Sequence, residues 1–282
     1  MKAVILAAGK GIRLRPITET RPKPLIPVLC KPLLLWHLDY LLTNSSLFDE
    51  IIIVVNYLKE KIIDAVRKHP LHELIRFIEQ GEELGTGDAV YKAIKDLDDN
   101  EEVLVIYSDL FIADKELYGK ILRTEGNVVV GVVHENPSEY GVLIEENGLL
   151  KSIIEKPAMP PSNLVNAGIY KFRVGDLRPY LENLKPSVRG ELEFTDALTN
   201  AVLNNTIIRI LKLDGSKWID IGLPWNILDA NKMAFKYLVE GSKFNGVIES
   251  NVSIKGNNIV IEDGALIRSG TYIEGPVYIG SG

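Results

Sequence analysis

Leu6–Pro27 reads LAAGKGIRLRPITETRPKPLIP, and the reading of this stretch decides the fold. It grows out of a short apolar run, Ala3 to Ala8, of the kind that forms the first buried strand of a parallel sheet. The run ends in Ala7-Ala8-Gly9-Lys10-Gly11, where the missing side chains let backbone N–H groups approach an anion closely. From Gly9 to Lys23 there are five basic residues (Lys10, Arg13, Arg15, Arg21, Lys23) and one acidic, Glu19, in a chain whose net charge is −6. A glycine-rich, cationic loop at the carboxyl end of a first strand is where an open α/β sheet holds phosphates. Two common phosphate loops are excluded. A dinucleotide fingerprint needs glycine or alanine where Leu14 stands, and a Walker loop needs Gly-Lys where Leu14-Arg15 stand.

Outward from this loop, the composition is that of a globular protein. With 282 residues, 46% of them apolar, the chain can fill one large core and a smaller one. The acidic balance argues against nucleic-acid binding, which calls for a basic stripe. No apolar run approaches the ~18 residues of a membrane span, and no signal-peptide pattern precedes the first strand, so a cytoplasmic location is expected. A single cysteine, Cys30, excludes an intrachain disulfide and suits a reducing compartment. His37, His69, His72 and His134 show no zinc spacing, and His69 and His72 read as solvated residues at a helix-to-strand turn.

The first two-thirds alternates strand and helix. Helices are predicted over Leu33–Leu42 after Pro32, over Tyr57–Lys68 and over Thr86–Lys95; strands over Ile51–Val55, Leu74–Ile78 and Val103–Tyr107. From Asn127 strands dominate: Asn127–His134, Tyr140–Glu145, Leu149–Ile154 and Leu164–Phe172, a β-rich half expected to cover one side of the crevice. Helices over Val174–Asn183 and Leu192–Leu203, strands over Ile207–Leu213 and Trp218–Ile221, and a long helix from Pro224 complete residues 1–240. The expected class is α/β, with a Rossmann-like, doubly wound mixed sheet whose ligand crevice lies at the carboxyl ends of the strands.

After Gly241 the pattern changes. Ile261, Ile267, Ile273 and Ile279 recur every six residues, with Gly264, Gly270 and Gly275 between them. Hexads of this kind build a parallel β-helix, so residues 241–282 read as the beginning of a left-handed one. Such an array needs several coils and a cap, and this chain reads as the front part of a longer protein.

The pattern G-x-G-x-R followed ten residues later by the lysine of R-P-K-P-L resembles the sugar-1-phosphate nucleotidylyltransferase family, in its thymidylyl and uridylyl branches. Further motifs occur in the family's order: Tyr107-Ser108-Asp109 for Y-G-D, Tyr140-Gly141, Glu155-Lys156-Pro157, Asn166-Ala167-Gly168-Ile169-Tyr170, Gly190-Glu191-Leu192-Glu193-Phe194-Thr195-Asp196, and Trp218-Ile219-Asp220-Ile221-Gly222 for W-x-D-x-G. The likeness to archaeal-type members with a β-helix is close. It implies that the chain joins UTP or dTTP to glucose-1-phosphate or N-acetylglucosamine-1-phosphate and releases pyrophosphate. The sugar phosphate is already an anion at neutral pH, so the chemistry needs positioning, cations and a metal rather than a general base.

By that resemblance Arg13, Lys23 and Asp109 carry the chemistry, and Ala8, Gly9, Gly11, Gln80, Gly85 and Thr86 complete the nucleotide site. Asp109 and Asp220 would hold Mg²⁺, which is satisfied by one or two carboxylates plus phosphate oxygens and waters. Gln80 offers a carbonyl and an NH₂ to the pairing edge of uracil or thymine. Gly141, Glu155, Lys156, Asn166 and Glu193 are the implied sugar-phosphate residues, with Asn166 near the sugar's 2-position. The chain departs from the family at Ile12 (usually threonine), Ser108 (usually glycine) and Gly87 (often alanine).

UTP and dTTP stay undistinguished, because their bases share one pairing edge, and the sugar stays open between hydroxyl and acetamido forms. An acetyltransferase is not predicted, since its site would need further coils. A homo-oligomer is expected for a full-length protein of this type. The alternatives are a mannose-1-phosphate guanylyltransferase, a non-catalytic regulatory relative, and a nucleotide-sugar glycosyltransferase. The last lacks an Asp-x-Asp pair, because Asp109 is followed by Leu110-Phe111.

Overall fold

In the computed structural model, which describes residues 1–281, one nine-stranded sheet organises most of the chain. Its elements in chain order are β1 (Lys2–Ala7), α1 (Leu33–Leu42), β2 (Glu50–Val55), α2 (Lys59–Val66), β3 (Ile75–Glu79), α3 (Thr86–Ile94), β4 (Glu102–Tyr107), β5 (Leu110–Ile112), α4 (Leu117–Arg123), β6 (Asn127–Val133), β7 (Gly141–Glu146), β8 (Leu149–Glu155), β9 (Leu164–Arg173), α5 (Val174–Glu182), α6 (Phe194–Leu203), β10 (Ile208–Leu213), β11 (Trp218–Asp220) and α7 (Pro224–Leu238). The sheet order is β3-β2-β1-β4-β9-β6-β10-β8-β7. The first four strands are parallel, and β9 enters antiparallel between β4 and β6. The sheet is therefore mixed, as expected. The β-rich half lengthens the same sheet instead of forming a separate cover.

Continuous apolar strands follow from burial on both faces. Along β1, Ile5 packs with Leu34, Ile53 and Tyr118 on one side, whereas Val4 packs with Val54, Val90 and Val105 on the other. Helix α1 closes the first face; α3, α5 and α6 close the second. A third cluster joins Leu14, Ile26 and Phe111 to Ile221, Ala230 and Ala234, so α7 packs against the segment that follows the glycine-rich loop. Two short elements, β5 and α4, were not legible in the sequence. One has three residues and the other carries Gly119 in mid-helix, so neither shows a period of its own. His69 corrects the solvated reading: it is 7% exposed, its Nε2 lies 3.0 Å from Asp39 Oδ1, and its Nδ1 accepts from the Leu71 N–H.

The tail forms three columns of parallel pairs. Lys243–Phe244 lies on Ile259–Ile261, which lies on Val277–Ile279; Val247–Ile248 lies on Leu266–Ile267; Ser253–Lys255 lies on Tyr272–Glu274. Representative pairs are Lys243↔Val260, Ile259↔Val277 and Val247↔Leu266, about three hexads apart. Ile261, Ile267 and Ile273 point into one core, as in the coils of a parallel β-helix. Tyr278 meets the third cluster, and Gly280 lies against Cys30, so the tail abuts the main body.

Candidate active site

Strands β1 and β4 end side by side, and their carboxyl ends open into two adjoining cavities of about 270 and 580 Å³. Ala8, Gly9, Lys23, Gln80 and Gly85 line the smaller one. Arg13, Gly141, Glu155, Lys156, Asn166, Glu193 and Asp220 line the larger. Thr86, Tyr107, Asp109 and Glu191 belong to both. Of the site residues that the resemblance implies, Gly11 alone is in neither wall. It adopts φ +62°, and a β-carbon there would lie 3.3 Å from Lys23 Cβ, so Gly11 makes room for the lysine.

At the junction, Lys23 Nζ lies 2.5 Å from Asp109 Oδ2 and 3.7 Å from Asp220 Oδ1. The sequence brings this about in three steps. Asp109 follows β4, whose end is clipped to β1 by the Ser108 hydroxyl donating to Leu6 O (2.6 Å), so the serine in place of glycine ties the turn down. Asp220 ends β11, which pairs antiparallel with β5 directly after Asp109. Lys23 opens a single 3-10 turn that Pro22 and Pro24 pre-form. Burial draws the Lys23 pKa down, but attraction to Asp109 and then Asp220 outweighs it and the net shift is upward. Burial, then the neighbouring Asp109 carboxylate, pushes Asp220 up to about 6. Asp220 Oδ1 is fully shielded and has no hydrogen-bond partner among the described residues. Two carboxylates, one with an unsatisfied buried oxygen, are a donor set that a hard divalent cation fits once phosphate oxygens and waters complete its shell. Among the described residues no group of three or more His, Cys, Asp or Glu side chains is placed to hold a metal ion.

The residues expected to read a base are more constrained than their sequence suggested. Gln80 is 5% exposed and its Nε2 donates to Gly85 O (3.0 Å) and Asp88 Oδ2 (2.9 Å). Both partners are acceptors, and Asp88 also pairs with Lys92 at 3.0 Å, so the amide nitrogen must face them. The NH₂ expected to meet a base is thus engaged inside the protein, and the carbonyl is the free function. Thr86 Oγ1 accepts from Phe194 N (3.0 Å), capping α6 from across the site. Leu192 N donates to Leu84 O and Gly87 N to Leu192 O, both at 2.7 Å. These rungs bind the segment between Gln80 and α3 to the segment before α6. The sequence showed the two glycines but not their partner, Leu192.

In the larger cavity, Glu155 Oε1 accepts from Thr195 Oγ1 (2.8 Å), and Arg189 Nη1 reaches Glu193 Oε1 (3.0 Å). Burial, then Glu155, holds the Glu193 carboxyl above the usual range against the pull of Arg189. Asn166 Nδ2 donates to Tyr170 OH (2.6 Å) and its Oδ1 accepts from Gly168 N (3.1 Å), so its orientation is fixed before any ligand arrives. Arg189, Glu191, Thr195 and Tyr107 are wall or supporting residues that the sequence reading passed over. Glu191 and Thr195 stand inside a motif already recognised, and Arg189 stands one residue before it.

A nucleotidyl transferase family model matches residues 2–236. The chain belongs to this family. It is 44% identical over 274 residues to the bifunctional sugar-1-phosphate nucleotidylyltransferase/acetyltransferase of Sulfurisphaera tokodaii, with 97% of this chain and 65% of that protein covered. It is 43% identical over 272 residues to the bifunctional protein GlmU of Methanocaldococcus jannaschii, with 94% and 61% covered. The chain therefore spans somewhat under two-thirds of the length of these relatives. Among solved structures, a UDP-glucose pyrophosphorylase complexed with UDP-glucose superposes with TM-score 0.67 at 26% identity, covering 83% of this chain and 98% of its own. The two cavities and their junction are thus borne on a nucleotidyl transferase fold. Among the described residues no helix is long and apolar enough to cross a membrane.

Proposed function

We propose that this chain transfers a nucleotidyl group from UTP or dTTP to a hexose-1-phosphate, glucose-1-phosphate or N-acetylglucosamine-1-phosphate, with release of pyrophosphate. One observation carries the reading: Lys23 stands between Asp109 and Asp220 where a cavity lined by Gln80 meets one lined by Glu155, Lys156 and Asn166. The base enters the smaller cavity, with its N3–H donated to the Gln80 carbonyl. The sugar occupies the larger one, its hydroxyls donating to Glu155 and Glu193 and its phosphate near Lys156. An oxygen of the sugar phosphate then attacks the α-phosphorus, and the bond to the bridging oxygen breaks as pyrophosphate leaves in line. The attacking oxygen carries its negative charge already, so no base has to take a proton. Lys23 and Arg13 offset the accumulating charge, the lysine as a compact ammonium and the arginine through its planar fork. Asp109 and Asp220 would hold Mg²⁺, which supplies further charge neutralisation at the phosphates.

The test is pyrophosphate release with Mg²⁺ across UTP, dTTP, GTP, CTP and ATP, each against glucose-, N-acetylglucosamine- and mannose-1-phosphate. Release confined to the UTP or dTTP rows is expected. Turnover mainly with GTP and mannose-1-phosphate overturns the role given to Gln80 but keeps the mechanism. No release by folded, nucleotide-binding protein overturns the catalytic reading.

A further inference from the structure

His134 ends up in the wall of the larger cavity, where the sequence had suggested no role for it. The residue follows β6, and its ring is held on two sides. Tyr140 meets it edge-on with centroids 4.7 Å apart, Trp218 does so at 6.1 Å, and those two rings touch each other at 5.5 Å. The Trp218 indole is itself fixed by its N–H donating to Ala167 O (3.0 Å). On the third side the Asn136 N–H donates to His134 Nδ1 at 3.1 Å. A nitrogen that accepts cannot carry the proton, so the neutral ring holds its hydrogen on Nε2. That N–H has no partner among the side-chain hydrogen bonds of the described residues.

The rest of the wall makes this donor useful. Glu139, Glu155 and Glu193 offer acceptors, which take the protons of sugar hydroxyls but leave the hydroxyl lone pairs unserved. Among the neutral donors of this wall, Trp218 gives its N–H to Ala167 and Asn166 gives one of its two amide hydrogens to Tyr170. We propose that His134 is a specificity-determining residue of the sugar subsite, its Nε2–H donating to one hydroxyl of the acceptor hexose. The proposal rests on the sugar-1-phosphate reading of this cavity. Lys156 serves the charged part of the ligand, whereas a neutral donor of fixed direction discriminates among hydroxyl positions, because a ligand lacking that hydroxyl leaves the N–H unpaired.

The experiment compares wild type with His134→Phe, which keeps the aromatic edge contacts and removes the donor. Dissociation constants are measured by calorimetry for glucose-1-phosphate and for the analogues lacking each ring hydroxyl in turn, alongside KM for both substrates. The expected result is weakening of glucose-1-phosphate by about 3- to 10-fold, an unchanged nucleotide KM, and loss of the difference between the proteins for one deoxy analogue only. Equal affinities in both proteins, an equal penalty across all analogues, or a parallel rise in nucleotide KM would overturn the donor role while wild-type turnover leaves the transferase reading standing. Wild-type protein that binds no sugar phosphate overturns both.

Discussion

Gly85→Ala tests whether the two half-sites are joined through Leu192. Gly85 adopts φ 123°, ψ 179°, a region that only glycine enters freely, and an added β-carbon would lie 2.6 Å from Leu192 O and 2.7 Å from Leu192 N. The backbone conformation costs alanine ~1–3 kcal/mol. Overpacking against a main-chain neighbour that cannot rotate away costs a further ~1–3 kcal/mol. Restricting the unfolded chain returns ~0.4–1 kcal/mol, so the net loss is about 3 kcal/mol. Gly81→Ala is the control: it also has positive φ (+76°), but nothing lies within 4 Å of the added carbon, and about 1 kcal/mol is expected. Urea unfolding followed by tryptophan fluorescence and circular dichroism measures both. Because Leu192 is hydrogen-bonded to Leu84 and Gly87, the clash should also raise KM for nucleotide and sugar phosphate together in Gly85→Ala and not in Gly81→Ala. Indistinguishable stability and kinetics in the two variants would refute the reasoning.

Removing the cation at the junction separates chemistry from stability. Lys23→Met should lower kcat by about 10²- to 10³-fold and destabilise the fold by leaving Asp109 and Asp220 opposed; adding Asp109→Asn should restore stability without restoring turnover, and a double variant no more stable than the single one would count against the triad. His37 predicts a pH dependence. Burial lowers its pKa from 6.5 to about 4, so the unfolded state binds more protons between those values, and stability present above pH 6.5 is lost as pH falls towards 4. At pH 5 the loss is about 2 kcal/mol by linkage, and His37→Phe should flatten the profile; an unchanged slope in the variant would assign the acid sensitivity to other groups.

Legibility followed the range of the interactions involved. The strands over 51–55 and 103–107 were evident because both sheet faces are covered, so every position selects an apolar side chain and the run announces itself. Helix α1 came out with its observed bounds, since Pro32 marks its start and burial marks its length. The isoleucine hexads fixed the tail for the same reason: each coil repeats one inward position. The three residues at the junction were also named in advance, through motif likeness. That likeness also implies that they meet, but not by what route: Asp220 reaches Lys23 by way of the β5–β11 pairing, and β5 is too short to be recognised.

By itself, then, the sequence determined what repeats or lies close along the chain: strand and helix periods, the cationic glycine loop, the hexads, and the order of the motifs. Tertiary structure decided what each polar group still has to offer. Gln80 keeps its carbonyl because Gly85 and Asp88 take its NH₂; His69 is buried because Asp39 receives it; Gly85 and Gly87 matter because Leu192 docks on them; and His134 presents an N–H because Asn136 occupies its other nitrogen. Apolar patterning is a local record of burial. The spare valence of a buried polar group depends on partners brought from elsewhere in the chain, and no local pattern encodes them.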